Sequence, residues 1–157
     1  MTTKETITLG ASKLTDWDIV YFPLGSAAFG GAERSLLELA AAQQALGSRV
    51  LVCYESALEN TDFIPQATAR ALPLKRVDWA PEKRLADVAR AAWRFFRQDN
   101  TQLIHFNMSW RRHMWLIPLC ARLFSRARLI ATMRALPDEY DLIPRRRYFG
   151  IIPSLRL

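Results

Sequence analysis

Phe29-Gly30-Gly31-Ala32-Glu33-Arg34-Ser35-Leu36-Leu37-Glu38-Leu39-Ala40 joins two unlike pieces of chain. Upstream of it, Asp18-Ile19-Val20-Tyr21-Phe22 is rich in β-branched and aromatic residues and ends at Pro23, so it reads as a buried strand. Downstream, Leu36, Leu39, Ala40 and Leu46 recur at helical spacing. Residues 32–46 therefore read as a helix with these four on its core face. Gly47 stands where a left-handed C-cap is expected. The glycine pair opens that helix. A helix start carries N–H groups with no intrahelical partner, and the helix dipole adds positive charge there. Gly30, Gly31, Ala32 and Glu33 thus form a candidate phosphate-binding turn. A structural turn with no ligand is the other reading of the pair.

Outward from this junction the periodicity alternates. Arg49-Val50-Leu51-Val52-Cys53-Tyr54 is a continuous apolar run, the pattern of a strand covered on both faces in a parallel sheet. Residues 55–65 read as a loop with one helical turn, and 69–74 as a short third strand. Residues 81–98 read as a helix with Pro81 in its first turn. Leu85, Val88, Ala89, Ala92 and Phe96 form its apolar stripe, with Arg90, Arg94 and Arg97 opposite. Residues 102–107 read as a fourth strand, 108–124 as a helix kinked at Pro118, and 128–133 as a fifth strand. Alternating strands and helices specify an α/β fold, a doubly wound, Rossmann-like parallel sheet. The core domain spans 16–140. It is flanked by a flexible tail at 1–15 and a basic tail at 141–157.

Composition narrows the class. The 157 residues are 50% hydrophobic and 24% charged, the balance of a globular domain rather than a disordered chain. A net charge of +7 suits an anionic partner: nucleotide, nucleic acid or lipid surface. The clusters Lys75-Arg76, Lys83-Arg84 and Arg145-Arg146-Arg147 read as solvated faces, or as anchors to anionic lipid if they share one side. Cys53 and Cys120 fall in predicted core elements and read as reduced thiols. Two cysteines and two histidines match no zinc pattern, so no metal is expected. The first fifteen residues lack the apolar segment of a secretory signal, and the expected location is cytoplasmic.

In open α/β sheets, ligands bind beyond the carboxyl ends of the strands. The dinucleotide fingerprint and the P-loop lysine are both absent after the first strand. His105, near the end of the fourth strand, is either a core histidine or a catalytic one. Asn107, two residues on, shares its face and offers an amide to a hydroxyl-rich ligand. Arg134, at the end of the fifth strand, suits a bidentate pair with phosphate or carboxylate, or an ion pair with Asp138 or Glu139. Trp110-Arg111-Arg112-His113-Met114-Trp115 interleaves aromatic and basic residues. It reads either as base-stacking chemistry or as a helix start with Trp115 in the core and Arg111 at a ligand rim.

Three segments resemble the family 4 retaining glycosyltransferases: residues 29–34 continuing to 46–52, residues 102–107, and residues 128–134 with Ala135-Leu136-Pro137. They are similar, in order, to that family's Gly-Gly-Ala-Glu opening, its Asp-Val-Val-His-x-His strand, and its strand ending in Thr-x-His-Gly. The resemblance implies the acceptor-binding, N-terminal half of a GT-B enzyme acting in cell-envelope polysaccharide synthesis. It implies sugar transfer from a nucleotide-sugar to a sugar or lipid-linked hydroxyl with retention, and needs neither metal nor cofactor. By that resemblance His105 and Arg134 are catalytic, Gly30, Gly31, Ala32 and Glu33 face the donor phosphates, and Asn107, Arg111 and Asp138 face the acceptor. Asn107 and Arg134 stand where the family often carries histidines. The donor-binding half would be supplied in cis or in trans, and the chain alone is expected to be inactive. A non-enzymatic module binding nucleic acid or anionic membrane is the alternative.

Overall fold

The computed structural model describes residues 17–26, 28–77, 79, 84–97, 101–108 and 115–133. The two tails, Pro81, Arg111, Arg134 and Asp138 lie outside the described residues. Five strands, β1 (Ile19–Leu24), β2 (Val50–Glu55), β3 (Leu74–Val77), β4 (Leu103–Met108) and β5 (Arg128–Met133), form one sheet in the order β3-β2-β1-β4-β5. Every pairing is parallel. Four helices, α1 (Gly31–Ala45), α2 (Phe63–Ala69), α3 (Leu85–Phe96) and α4 (Leu116–Phe124), connect them. The Rossmann-like α/β architecture read from the sequence is the one observed.

Alternation along the strands splits the core in two. Val20, Phe22, Leu24, Leu51, Cys53, Ile104 and Phe106 point to one face, under α3 and α4. Tyr21, Val50 and Val52 point to the other, under α1 and α2. Strand order grows outward from β1 to β3, then reverses to β4 and β5. Parallel crossovers are right-handed, so that reversal puts the later helices on the opposite face. It also opens a crevice between β1 and β4.

α1 shows how local sequence sets an element. It buries Glu33, Leu36, Leu37 and Ala40, a stripe at helical spacing. Full burial of Leu36 and Leu37 stabilises by about 1.5–3 kcal/mol each. The expected stripe is corrected at two positions. Leu39 sits on the stripe's outer flank, and Leu46 is the C-cap residue, past the last buried turn and largely exposed. Gly47 adopts φ +92° beyond that cap. Its N–H reaches the Gln44 carbonyl at 3.0 Å and the Ser48 N–H reaches Gln43 at 3.2 Å, closing a Schellman motif.

The remaining corrections have physical causes. The third strand is shifted: it runs Leu74–Val77, and residues 69–73 are the end of α2 and a turn, with Ala71 at φ 53°. α2 itself carries Pro65 as its third residue, and α4 carries Pro118 as its third. In a first turn the missing N–H has no intrahelical acceptor to lose, so neither proline breaks its helix. β4 continues to Met108, where a helix was expected. Pro23 lies inside β1, opposite Asn107. The β1–β2 ladder has already ended at Tyr21↔Val52, so its donorless nitrogen interrupts no pairing there. Leu85 is more exposed than its place in the stripe implied, while Val88, Ala92 and Phe96 are buried.

At the amino edge of the sheet, Asp18 clamps three strands. Its carboxylate accepts from the Arg49 backbone N–H at 2.9 Å and the Arg49 guanidinium at 2.8 Å, and its carbonyl accepts from Gln102 and Leu103. These hydrogen bonds from Arg49, side chain first, lower its pKa to about 2.

Candidate functional site

The crevice is floored by the carboxyl ends of β1 and β4, which run in register to Pro23↔Asn107 and Leu24↔Met108. Beyond Leu24, Gly25 takes φ +74°, a left-handed conformation that glycine adopts at little cost, and turns the chain over the sheet. Ser26 follows and is buried. Its hydroxyl donates to Glu33 Oε1. Glu33 Oε2 accepts from the Gly30 backbone N–H at 2.9 Å. One buried carboxylate thus ties the loop after β1 to the first turn of α1. Gly30 is the N-cap and has no side chain, so only the glutamate half of a capping box exists.

Glu33 was grouped by sequence with the phosphate-facing residues. It turns inward, and both its oxygens are occupied by the chain. The notion of a fully unpaired helix start is also corrected, because the Gly30 N–H is taken. The groups left over are the N–H donors of Gly31, Ala32 and Glu33, which have no carbonyl behind them in the helix. Arg34 is the first to close a helical bond, to the Gly30 carbonyl at 3.0 Å.

The two glycines differ. A Cβ on Gly30 would meet Glu33 Oε2 at 3.3 Å, whereas one on Gly31 would meet nothing within 4 Å. Gly30 has an extended backbone, φ −132°, open to any residue. Gly31 is the first residue of α1. Packing within the chain therefore does not demand glycine at 31; a side chain there would enter open space at the start of α1.

Asn107 closes the opposite wall. Its Nδ2 donates to the Ala32 carbonyl at 3.0 Å, across the gap between β4 and α1. A carbonyl only accepts, so this bond fixes which way the amide faces. Asn107 Oδ1 is then left buried without a hydrogen-bond partner among the described residues, in a residue only 5% exposed.

His105 projects from the same sheet face, two residues deeper in β4. Its Nε2 is hydrogen-bonded to Thr132 Oγ1 on β5 at 2.8 Å, and its ring lies 5.3 Å from that of Tyr21 on β1. Burial pushes the Tyr21 phenol above its usual range. The structure thus brings Gly30, Gly31, Ala32, Glu33 and Asn107 to one crevice, with His105 behind it. Arg134, Arg111 and Asp138 lie outside the described residues.

Sequence reading missed Ser26, Thr132 and Glu55. Glu55 is a buried carboxylate at the carboxyl end of β2, where a loop was expected to begin. Ser26 stands seven residues from Glu33, a separation with no local signature. Thr132 is legible only once β4 and β5 are known to pair as Asn107↔Thr132. Among the described residues no three His, Cys, Asp or Glu side chains gather as a metal site. No described helix is long and apolar enough to cross a membrane.

The crevice offers oriented backbone donors for an anion and one buried acceptor for a hydroxyl, on a sheet wound as the sequence resemblance implied. No curated protein and no solved structure matches the chain. The family model of a glycosyl transferase 4-like domain matches residues 30–155, beginning at the glycine pair. The chain therefore belongs to the glycosyltransferase 4-like domain family.

Proposed function

We propose that this glycosyltransferase module forms the acceptor-side wall of a retaining, nucleotide-sugar-dependent active site. The unpartnered Oδ1 of Asn107 carries this reading. A buried acceptor without a donor costs about 1–3 kcal/mol, which a ligand hydroxyl placed there recovers. Sugars are dense in such hydroxyls. At the start of α1, whose Ala32 carbonyl Asn107 bonds, Gly31 and Ala32 offer N–H groups to an anion, as a nucleotide-sugar's phosphates require. The ligand that satisfies both walls carries hydroxyls and phosphate together.

In this reading Gly31 and Ala32 face the donor phosphates, and Glu33 and Ser26 hold the turn in place. Arg134 follows β5 directly and supplies charge to the departing phosphate or to an acidic acceptor. His105 lies beside the reacting sugar, and Arg111 and Asp138 belong to the acceptor side. A second, donor-binding domain acts with this one in cis or in trans. The nucleotide-sugar is a co-substrate, and neither metal nor other cofactor is invoked. A lipid-linked acceptor of cell-envelope polysaccharide synthesis, used at the cytoplasmic face of a membrane, fits the chemistry of the crevice.

The test is a titration of the chain and of Asn107→Leu with a panel of uridine, guanosine and adenosine diphosphate sugars. The variant keeps the side chain's size and removes the acceptor. Affinity for the best ligand should fall at least about tenfold, the worth of one hydrogen bond at about 1.4 kcal/mol. Equal affinity in a folded variant would remove Asn107 from the site.

A further inference from the structure

The two helical layers carry opposite charge. α1, α2 and the turn before α2 (residues 31–45 and 56–70) hold the acids Glu33, Glu38, Glu59 and Asp62 against Arg34 and Arg70. Residues 84–97 and 115–127, which contain α3 and α4, hold six arginines and one acid, Asp87. Asp87 is paired with Arg90 at 3.4 Å. Arg84, Arg94, Arg97, Arg122 and Arg126 remain, all exposed. Among the described residues these two helices thus present an excess of positive charge on one face of the sheet.

The same layer exposes large apolar side chains. On α4, Ile117, Cys120 and Ala121 face the core. Trp115, Leu119 and Leu123 recur every four residues on the outward face and are 59%, 42% and 64% exposed. Phe124 extends the patch at the helix end. On α3, Trp93 is partly exposed, with the Arg97 guanidinium 4.7 Å above its ring. Scattered exposed leucines need no explanation, but a row on one helix among uncompensated arginines does.

We propose that the α4 face, with the arginines around it, docks on an anionic lipid bilayer. Tryptophan, leucine and phenylalanine enter the boundary between headgroups and acyl chains, while Arg122 and Arg126 pair with lipid phosphates. Nucleic acid would use the arginines and leave Leu119 and Leu123 exposed; a neutral protein partner would use the leucines and leave the charge uncompensated. A bilayer of anionic lipid satisfies both. Lying on this face, the domain keeps the carboxyl edge of its sheet along the membrane surface, within reach of a membrane-borne acceptor. The surface stands on its own residues, whether or not the crevice transfers sugar.

The experiment is co-sedimentation with vesicles of phosphatidylcholine alone and with roughly one third phosphatidylglycerol. The chain should bind the anionic vesicles at least about tenfold more tightly. Leu119→Glu/Leu123→Glu should lose that binding at an unchanged thermal midpoint, because both positions are exposed. Arg122→Glu/Arg126→Glu should lose it too. Tryptophan fluorescence should be quenched by brominated acyl chains, less so in Trp115→Phe. Absence of binding to anionic vesicles at low salt would overturn the proposal. So would binding that survives the Leu119→Glu/Leu123→Glu change, which would make the contact purely electrostatic. Competition by RNA with unchanged dependence on the leucines would also overturn it.

Discussion

Replacing Gly31 by alanine separates what the fold needs at that position from what a ligand needs. Gly31 opens α1 outside the positive-φ region, and an added Cβ would have nothing within 4 Å. Alanine therefore fits without strain. It lowers the entropy of the unfolded chain and favours the helix, and is worth about 0.4–1 kcal/mol. For a chain of this size that raises the melting temperature by roughly 1–4 °C. The same methyl enters the open space at the start of α1. Crowding a close contact costs about 1–3 kcal/mol, or roughly 5- to 150-fold in affinity for a phosphate-bearing ligand. Stability and binding should thus move in opposite directions. Gly30→Ala is the contrast: its Cβ meets Glu33 Oε2 at 3.3 Å, an oxygen held by the Gly30 N–H, and should lower the melting temperature. Differential scanning fluorimetry and calorimetric titration with nucleotide-sugars read both quantities. A destabilised Gly31→Ala would refute the structural argument. Unchanged ligand affinity would refute the assignment of that space to a ligand.

Glu33→Ala should cost about 2–4 kcal/mol in urea unfolding, because a buried carboxylate gives up hydrogen bonds from Ser26 and Gly30; a loss below about 0.5 kcal/mol would mean the turn is held otherwise. Gly47→Ala should lose about 1 kcal/mol by forcing a side chain into φ +92°, measurable in the same assay. The hydrogen bonds from Arg49 hold Asp18 at about 2 in the folded state, below the ordinary aspartate range. Its contribution to stability is therefore complete above the unfolded pKa and lost as pH falls from there through about 2. Asp18→Asn should flatten that part of the acid-unfolding curve, and an unchanged curve would mean the Arg49 clamp carries no such linkage.

The fold was legible because its signals are local. Arg128–Met133 is a strand over the predicted residues, and Gly47 caps α1 where the end of helical spacing placed it. What stayed illegible depended on tertiary context. Pro65 and Pro118 look like helix breakers until the helix starts are known. Leu46 has helical spacing but falls beyond the part of α1 that the sheet covers. In the crevice, Gly31 and Asn107 could be named because strand ends and helix starts mark the ligand edge of any parallel sheet. The inward turn of Glu33 could not, since its partner Ser26 is brought back only by the left-handed turn at Gly25. The missing partner of Asn107 Oδ1 is likewise a property of packing that spacing does not contain.

The central claim is that the β1–β4 crevice takes a ligand carrying both phosphate and sugar hydroxyls. A nitrogen-edited NMR titration of the chain with nucleotide-diphosphate sugars tests it most directly, because weak binding still shifts peaks. Saturable shifts are expected, concentrated at the backbone amides of Gly31 and Ala32 and at the Asn107 side-chain amide. Saturable shifts centred elsewhere, or none at these three groups at millimolar ligand, would contradict it.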